Sequence, residues 1–135
     1  MRNLKGAITT IRVSDLEKAK QFYGGTLGLS PLRTEIGGMK PLPADYSGYA
    51  AYECGGGTGV LIYEGGASKS EGTVIAFNVS GLDAVMADLR GKGVTFEEYD
   101  YPEMKTINGV MTDQYGRSAW FKDTDGNYLC VSEQA

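Results

Sequence analysis

The sequence predicts an α+β fold built from two similar modules, each running strand, helix, strand, strand, strand. The stretch from Ile8 to Leu29 reads as a strand passing directly into a helix, and a strand with one apolar face joined to a helix is half of a layered unit. Its Val13-Ser14-Asp15-Leu16 reappears 66 residues on as Val79-Ser80-Gly81-Leu82. Farther along, GYAAYECGGGTGVLIYEG from Gly48 aligns with GRSAWFKDTDGNYLCVSE from Gly116 at an offset of 68. Two matches at nearly one offset in a chain of 135 residues mark an internal duplication with a small insertion. The modules are expected over about residues 6–66 and 71–133, within a single domain.

The elements follow in order. Thr9, Ile11 and Val13 alternate against Ile8, Thr10 and Arg12, the period of two of a strand. Ser14 stands three residues before Glu17, the capping-box spacing, and Leu16, Ala19, Phe22 and Tyr23 form an apolar helical stripe that stops at Gly24, Gly25 and Gly28. Pro31 to Ile36 is expected as a short strand and Gly37 to Gly48 as a loop. Tyr49 to Cys54 and Val60 to Glu64 form a hairpin around Gly55-Gly56-Gly57, and the polar Gly65 to Gly72 joins the halves. The second half repeats the plan. Thr73 to Val79 is a strand, and Ser80 caps a helix carrying Leu82, Val85, Met86 and Leu89. Val94 to Tyr99 is a strand, Asp100 to Gly116 a long connecting segment. Arg117 to Lys122 and Tyr128 to Glu133 close a last hairpin, with Asp125-Gly126 as its turn.

Composition narrows the function. The net charge of −4 and a pI near 4.8, with no basic cluster, argue against a nucleic-acid partner. No apolar run approaches the length of a membrane span, and MRNLKGAITT lacks the apolar segment of a secretory signal. Cys54 and Cys130 make no disulfide framework, so a reducing cytoplasm is the expected location. The chain contains no histidine, which removes the commonest metal ligand and the most versatile general base.

The duplicated pattern, with VSDLEKAKQFYGGTLGL at the front and AWFKDTDGNYL at the back, resembles the vicinal oxygen chelate superfamily over essentially the whole chain. That superfamily includes glyoxalase I, extradiol dioxygenases, fosfomycin-resistance enzymes and bleomycin-resistance proteins. The resemblance implies that the two βαβββ modules form a curved eight-stranded cup with the helices packed outside, and that the protein is a homodimer. It also implies where a metal would sit, since members that do chemistry hold a divalent ion with His and Glu side chains from the first and last strands. The matching positions here are Ile8, Ile62, Val74 and Cys130. Three apolar side chains and one thiol cannot hold a hard cation, so neither metal nor other cofactor is expected.

Strand alternation then places other residues on the inner face. Thr10 and Arg12 accompany Ile8, Asn78 accompanies Val74, and Tyr128 and Ser132 accompany Cys130. Ser118 and Trp120 are expected there from one hairpin, and Ala50 and Tyr52 from the other. Trp120 and Tyr52 suit a flat, partly aromatic ligand by stacking, or alternatively fill the vacated space. Arg12 is open to two roles, an ion pair with Glu64 or a rim charge on one side and an anchor for an anionic group on the other. Cys130 lacks a base to make it a nucleophile and reads as a buried thiol. The candidate ligand-binding set is therefore Trp120, Tyr52, Arg12, Tyr128, Ser118, Asn78, Thr10 and Cys130. Sequestration of a hydrophobic or aromatic small molecule without metal is the expected function. The alternative is an enzyme of the same superfamily, a lyase, transferase or dioxygenase, with or without metal, in which Arg12, Tyr128 or Glu64 moves protons or stabilises an enolate.

Overall fold

The computed structural model describes residues 1–43, 45–66 and 69–135. Residue 44 of the predicted Gly37–Gly48 loop and residues 67 and 68 of the predicted connector lie outside the described residues. Two units divide the chain at Lys69 and Ser70.

In the first unit, β1 (Thr9–Val13) leads into α1 (Leu16–Lys20), which widens into a π-type turn over Gln21–Thr26 closed by Leu27 N–H donating to the Phe22 carbonyl. Then come β2 (Ser30–Pro31), β3 (Tyr49–Gly55) and β4 (Thr58–Glu64), in the sheet order β1-β4-β3-β2 with β1 parallel to β4. In the second, β5 (Thr73–Asn78) and α2 (Leu82–Gly91) precede a small ladder of β6 (Asp100–Tyr101) and β7 (Met104–Lys105). The sheet is completed by β8 (Met111–Asp113), β9 (Gly116–Lys122) and β10 (Tyr128–Gln134), in the order β5-β10-β9-β8. Both sheets are open and mixed, and the class is α+β.

The expected strands at Pro31–Ile36 and Val94–Tyr99 are corrected. The first shrinks to Ser30–Pro31, because Ile36 instead turns back on Met39 through Gly37 and Gly38, both at positive φ. In the second, Glu97 N–H donates to the Trp120 carbonyl, but the stretch forms no ladder among the described residues. The Glu98 carboxylate accepts from Thr106 Oγ1 and the Gly109 amide, holding a tight turn at Asn108 and Gly109. The edge strand beside β9 in this sheet is β8.

The helix caps are also not those expected. Asp15, not Ser14, is the N-cap of α1, its carboxylate accepting from Lys18 N–H at 3.1 Å. In α2 the cap position is Gly81 at φ 75°, with no side-chain cap of its own. Each helix start is also tied to the end of the last strand of its unit, which lies beside the strand that leads into the helix. Glu64 Oε2 accepts from Leu16 N–H at 2.9 Å, and Glu133 Oε1 accepts from Gly81 N–H at 2.9 Å. Glu133 also meets Arg117 at 2.9 Å, whose other nitrogen reaches Asp83 at 3.0 Å.

One face of each sheet is covered by its helix. In the first unit Leu16, Ala19 and Tyr23 are buried with Ile11, Val13, Val60 and Ile62. In the second, Leu82, Met86 and Leu89 are buried with Ala119, Phe121, Leu129 and Val131. Leu89→Ala is expected to cost roughly 2–5 kcal/mol in urea unfolding, since it empties a packed site. The Glu133 carboxyl titrates below its ordinary value of 4.5, held down by Arg117 and by the Gly81 and Leu82 amides. A depressed carboxylate stabilises the fold above its unfolded pKa and loses that contribution as pH falls through the folded value. Glu133→Gln should therefore flatten the decline of stability on the acid side of 4.5, measured by urea melts across pH.

Candidate functional site

The face not covered by a helix carries the candidate site residues, and the ladder register says which they are. In the second unit Cys130 pairs with Ala76 on one side and Trp120 on the other, while Ser132 pairs with Asn78 and Ser118. Tyr128 lies opposite Lys122. Paired residues share a face, so Asn78, Ser118, Trp120, Tyr128, Cys130 and Ser132 stand together on the open face, as the alternation predicts.

Trp120 organises this surface. Its Nε1–H donates to Thr73 Oγ1 at 3.2 Å, so the indole reaches over β10 to the strand beyond. Tyr99 meets it edge-on at 5.9 Å. Beside it Lys122 sits 5.2 Å over the Tyr128 ring and pairs with Glu97 at 3.3 Å. Near the indole, Ser118 Oγ and Ser132 Oγ share a hydrogen bond of 2.6 Å, and Cys130 Sγ lies 3.6 Å from Ser132 Oγ. Cys130 is only 4% exposed although it faces the uncovered side, in keeping with the indole lying across its strand. Burial pushes its thiol above the ordinary 9.0, and hydrogen bonds from Ser132 and Ser118 offset part of that rise.

In the first unit the register changes the assignment. Thr10 pairs with Leu61 and Arg12 with Tyr63, and Leu61 and Tyr63 in turn pair with Ala51 and Tyr49. These residues form the open face. Tyr52 and Ala50 pair with Val60 and Ile62 and so point to the helix side, which corrects the expectation that they share the face of Arg12. Tyr52 is 6% exposed, and a Cβ at Gly24 would stand 3.3 Å from its ring, so the glycine of the π-type turn is what admits the phenol. Arg12 and Glu64 also stand on opposite faces, with Glu64 committed to the helix start.

The slip is a single residue. Thr10 corresponds to Ala76 at the offset of 66, and their partners Leu61 and Cys130 lie 69 apart rather than 68. Two hydrogen bonds agree, since Leu32 N–H donates to Ala51 as Glu97 N–H donates to Trp120, again 69 apart at the acceptor. The structural counterpart of Trp120 is therefore Ala51, and that of Cys130 is Leu61, replacing Ile62. The sequence reading missed Tyr49 and Tyr63 for the same reason. Their signal was present in the alternation of Tyr49, Ala51 and Glu53, had the hairpin been aligned through its ladder rather than by residue similarity.

With that register, the positions that the superfamily resemblance marks for metal ligands become Ile8, Leu61, Val74 and Cys130. This donor set does not fit a divalent cation, which needs several oxygen or imidazole ligands. Among the described residues no three His, Cys, Asp or Glu side chains gather to offer another.

Two repeated units, each with a βαβββ order and one helix-covered face, define a duplicated α+β class of fold. The chain belongs to the Glyoxalase/Bleomycin resistance protein/Dioxygenase superfamily, whose sequence pattern matches residues 7–131. Solved structures agree on the fold. The antibiotic binding protein TnmS3 from Streptomyces sp. CB03234 superposes with a TM-score of 0.67 at 23% identity, covering 100% of this chain and 99% of its own. A glyoxalase family protein from Bacillus anthracis gives 0.66 at 21% identity, covering 100% of both chains. The fosfomycin resistance protein FosX from Listeria monocytogenes gives 0.66 at 16% identity, covering 96% of this chain and 90% of its own. No curated protein matches the chain in sequence. No helix among the described residues is long and apolar enough to cross a membrane.

The burial of the thiols gives a direct check. Cys54 is half-buried and also raised by burial, so both thiols are expected to react slowly with Ellman's reagent at pH 8 and faster above pH 9. Cys54 should label first, and Trp120→Ala should accelerate Cys130 if the indole shields it. Equal rates for Cys130 in both proteins would remove Trp120 as its cover.

Proposed function

We propose that this protein is a metal-free binding protein that sequesters a flat, hydrophobic or aromatic small molecule on its open sheet faces, acting in the cytoplasm as a homodimer. The observation that carries the reading is Trp120, an indole standing on an uncovered face between Tyr99 and Thr73. It lies beside positions where catalytic relatives place metal ligands and this chain has a thiol and aliphatic side chains. An indole with an aromatic neighbour offers stacking area, and the Ser118–Ser132 hydroxyl pair offers a polar group to orient what is stacked. The likeness of fold to an antibiotic binding protein supports the same reading. Asn78, Tyr128 and Cys130 stay with Trp120 on the proposed face of the second unit, Thr10 and Arg12 on that of the first, and Tyr52 belongs to the core.

Binding of a planar aromatic compound is expected to quench Trp120 fluorescence saturably, without conversion of the compound. Trp120→Ala should weaken that binding by about 1–3 kcal/mol, the scale of stacking on an aromatic side chain. Tyr52→Ala should lower stability and leave the affinity of the folded protein unchanged. A full panel of planar compounds that neither quench nor bind would overturn the reading. After exposure to Zn²⁺, Ni²⁺, Mn²⁺ or Fe²⁺ and desalting, elemental analysis should find no stoichiometric metal. One retained ion per chain would overturn the metal-free part of it.

A further inference from the structure

We propose that the open face of the first unit is a platform for a planar aromatic anion, a carboxylate or phenolate carried on a fused or single ring. This deepens the reading above and rests on it in one respect, that the open faces take flat small molecules.

Three neighbouring strands bring one row of side chains together. Arg12 on β1 pairs with Tyr63 on β4, and Tyr63 pairs with Tyr49 on β3. The two phenol rings lie with centroids 6.3 Å apart and planes 28° from parallel, and Tyr46 closes against Tyr49 at 5.4 Å. Tyr49 is 40% exposed and Tyr46 49%, so the rings offer their surface rather than fill a core. A cation at one end of a near-parallel pair of rings matches a ligand with an aromatic body and a negative terminus. Guanidinium carries five N–H donors in a planar fork, so Arg12 can take a carboxylate while keeping another contact.

The row belongs to this unit and not to the repeated scaffold. At the positions of the second unit that match Arg12, Tyr63 and Tyr49 the sheet carries Asn78, Ser132 and Ser118, with neither cation nor ring. Nor is the cation part of a general basic surface, because the chain has a net charge of −4.

Gly65 marks where Arg12 is held. A Cβ built there would stand 2.7 Å from Arg12 Cδ and 3.0 Å from its Cγ, so the arginine stem lies across the glycine. The Gly65 backbone is not at positive φ, and its N–H donates to the Val13 carbonyl at 2.9 Å. Alanine at this position therefore displaces a flexible side chain without straining the backbone.

The test is calorimetric titration of the full chain with 2-naphthoate and its neutral isostere 2-naphthamide. The wild-type protein should bind naphthoate about tenfold more tightly, the scale of one charge-assisted contact. Arg12→Gln should abolish that preference while leaving naphthamide affinity unchanged, and Gly65→Ala should reduce it. Tyr63→Leu should weaken both compounds, with Tyr49→Leu as the second variant if the first fails to fold. The ratio of the two affinities should survive Trp120→Ala, because Arg12 and Tyr63 belong to the other unit. Equal binding of the two probes by the wild type overturns this inference and leaves the proposed function standing. Binding of neither also overturns it, while the proposed function is overturned only by failure of the whole panel of planar compounds. A preference that persists in Arg12→Gln, or affinities untouched by both tyrosine substitutions, also overturns it.

Discussion

Both units depend on one carboxylate at the end of the last strand. Glu64 and Glu133 each accept the first free amide of their helix at 2.9 Å, across 48 and 52 residues of chain. A negative charge at a helix N-terminus answers both the unsatisfied N–H groups and the positive end of the helix dipole. More important here, the bond ties the helix to a fixed point on the sheet. Once the helix start is anchored, its apolar stripe has one surface to cover, and the alternate residues of every strand are left on the other side. The open face, and whatever it binds, is defined by that exclusion.

Most of the fold was legible in the sequence because its signals are periodic. The stripe Leu82, Met86 and Leu89 needs no structure to be read as the buried face of a helix. The Gly55-Gly56-Gly57 turn, with all three residues at positive φ, is similarly local. The duplication was visible as well, but its fine alignment was not. Similarity of residues placed Trp120 over Tyr52, whereas hydrogen bonding places it over Ala51. In a strand one residue of error turns every side chain to the other face, so a small misalignment emptied one face of its true occupants. The caps were missed for a different reason. Glu64 and Glu133 act across the fold, and no local window contains both the carboxylate and the amide it meets.

The two units keep the same frame and differ on the surface they leave bare. Where one has Tyr49 beside Tyr63, the other has Ser118 hydrogen-bonded to Ser132. Where one has Ala51 beside Leu61, the other has Trp120 beside Cys130. Aromatic area thus sits at different levels in the two sheets, and charge sits at Arg12 in one and at Lys122 in the other. The positions that the family resemblance marks for metal ligands carry aliphatic and thiol side chains. These have no coordination chemistry to preserve and can be shaped for packing against a ligand.

The alternation of faces has a consequence for how such a chain changes over generations. Along β10, Leu129 and Val131 answer to the helix, while Cys130 and Ser132 answer to whatever lies outside. Neighbouring codons are therefore under separate demands. A substitution on the outer set changes the surface that the sheet presents while leaving the helix-side packing in place, and a duplicated unit offers two such sets. The tyrosine pair of one unit and the serine pair of the other differ at such outer positions, where the exposed surface of the scaffold can be rewritten without touching the residues that hold its helices.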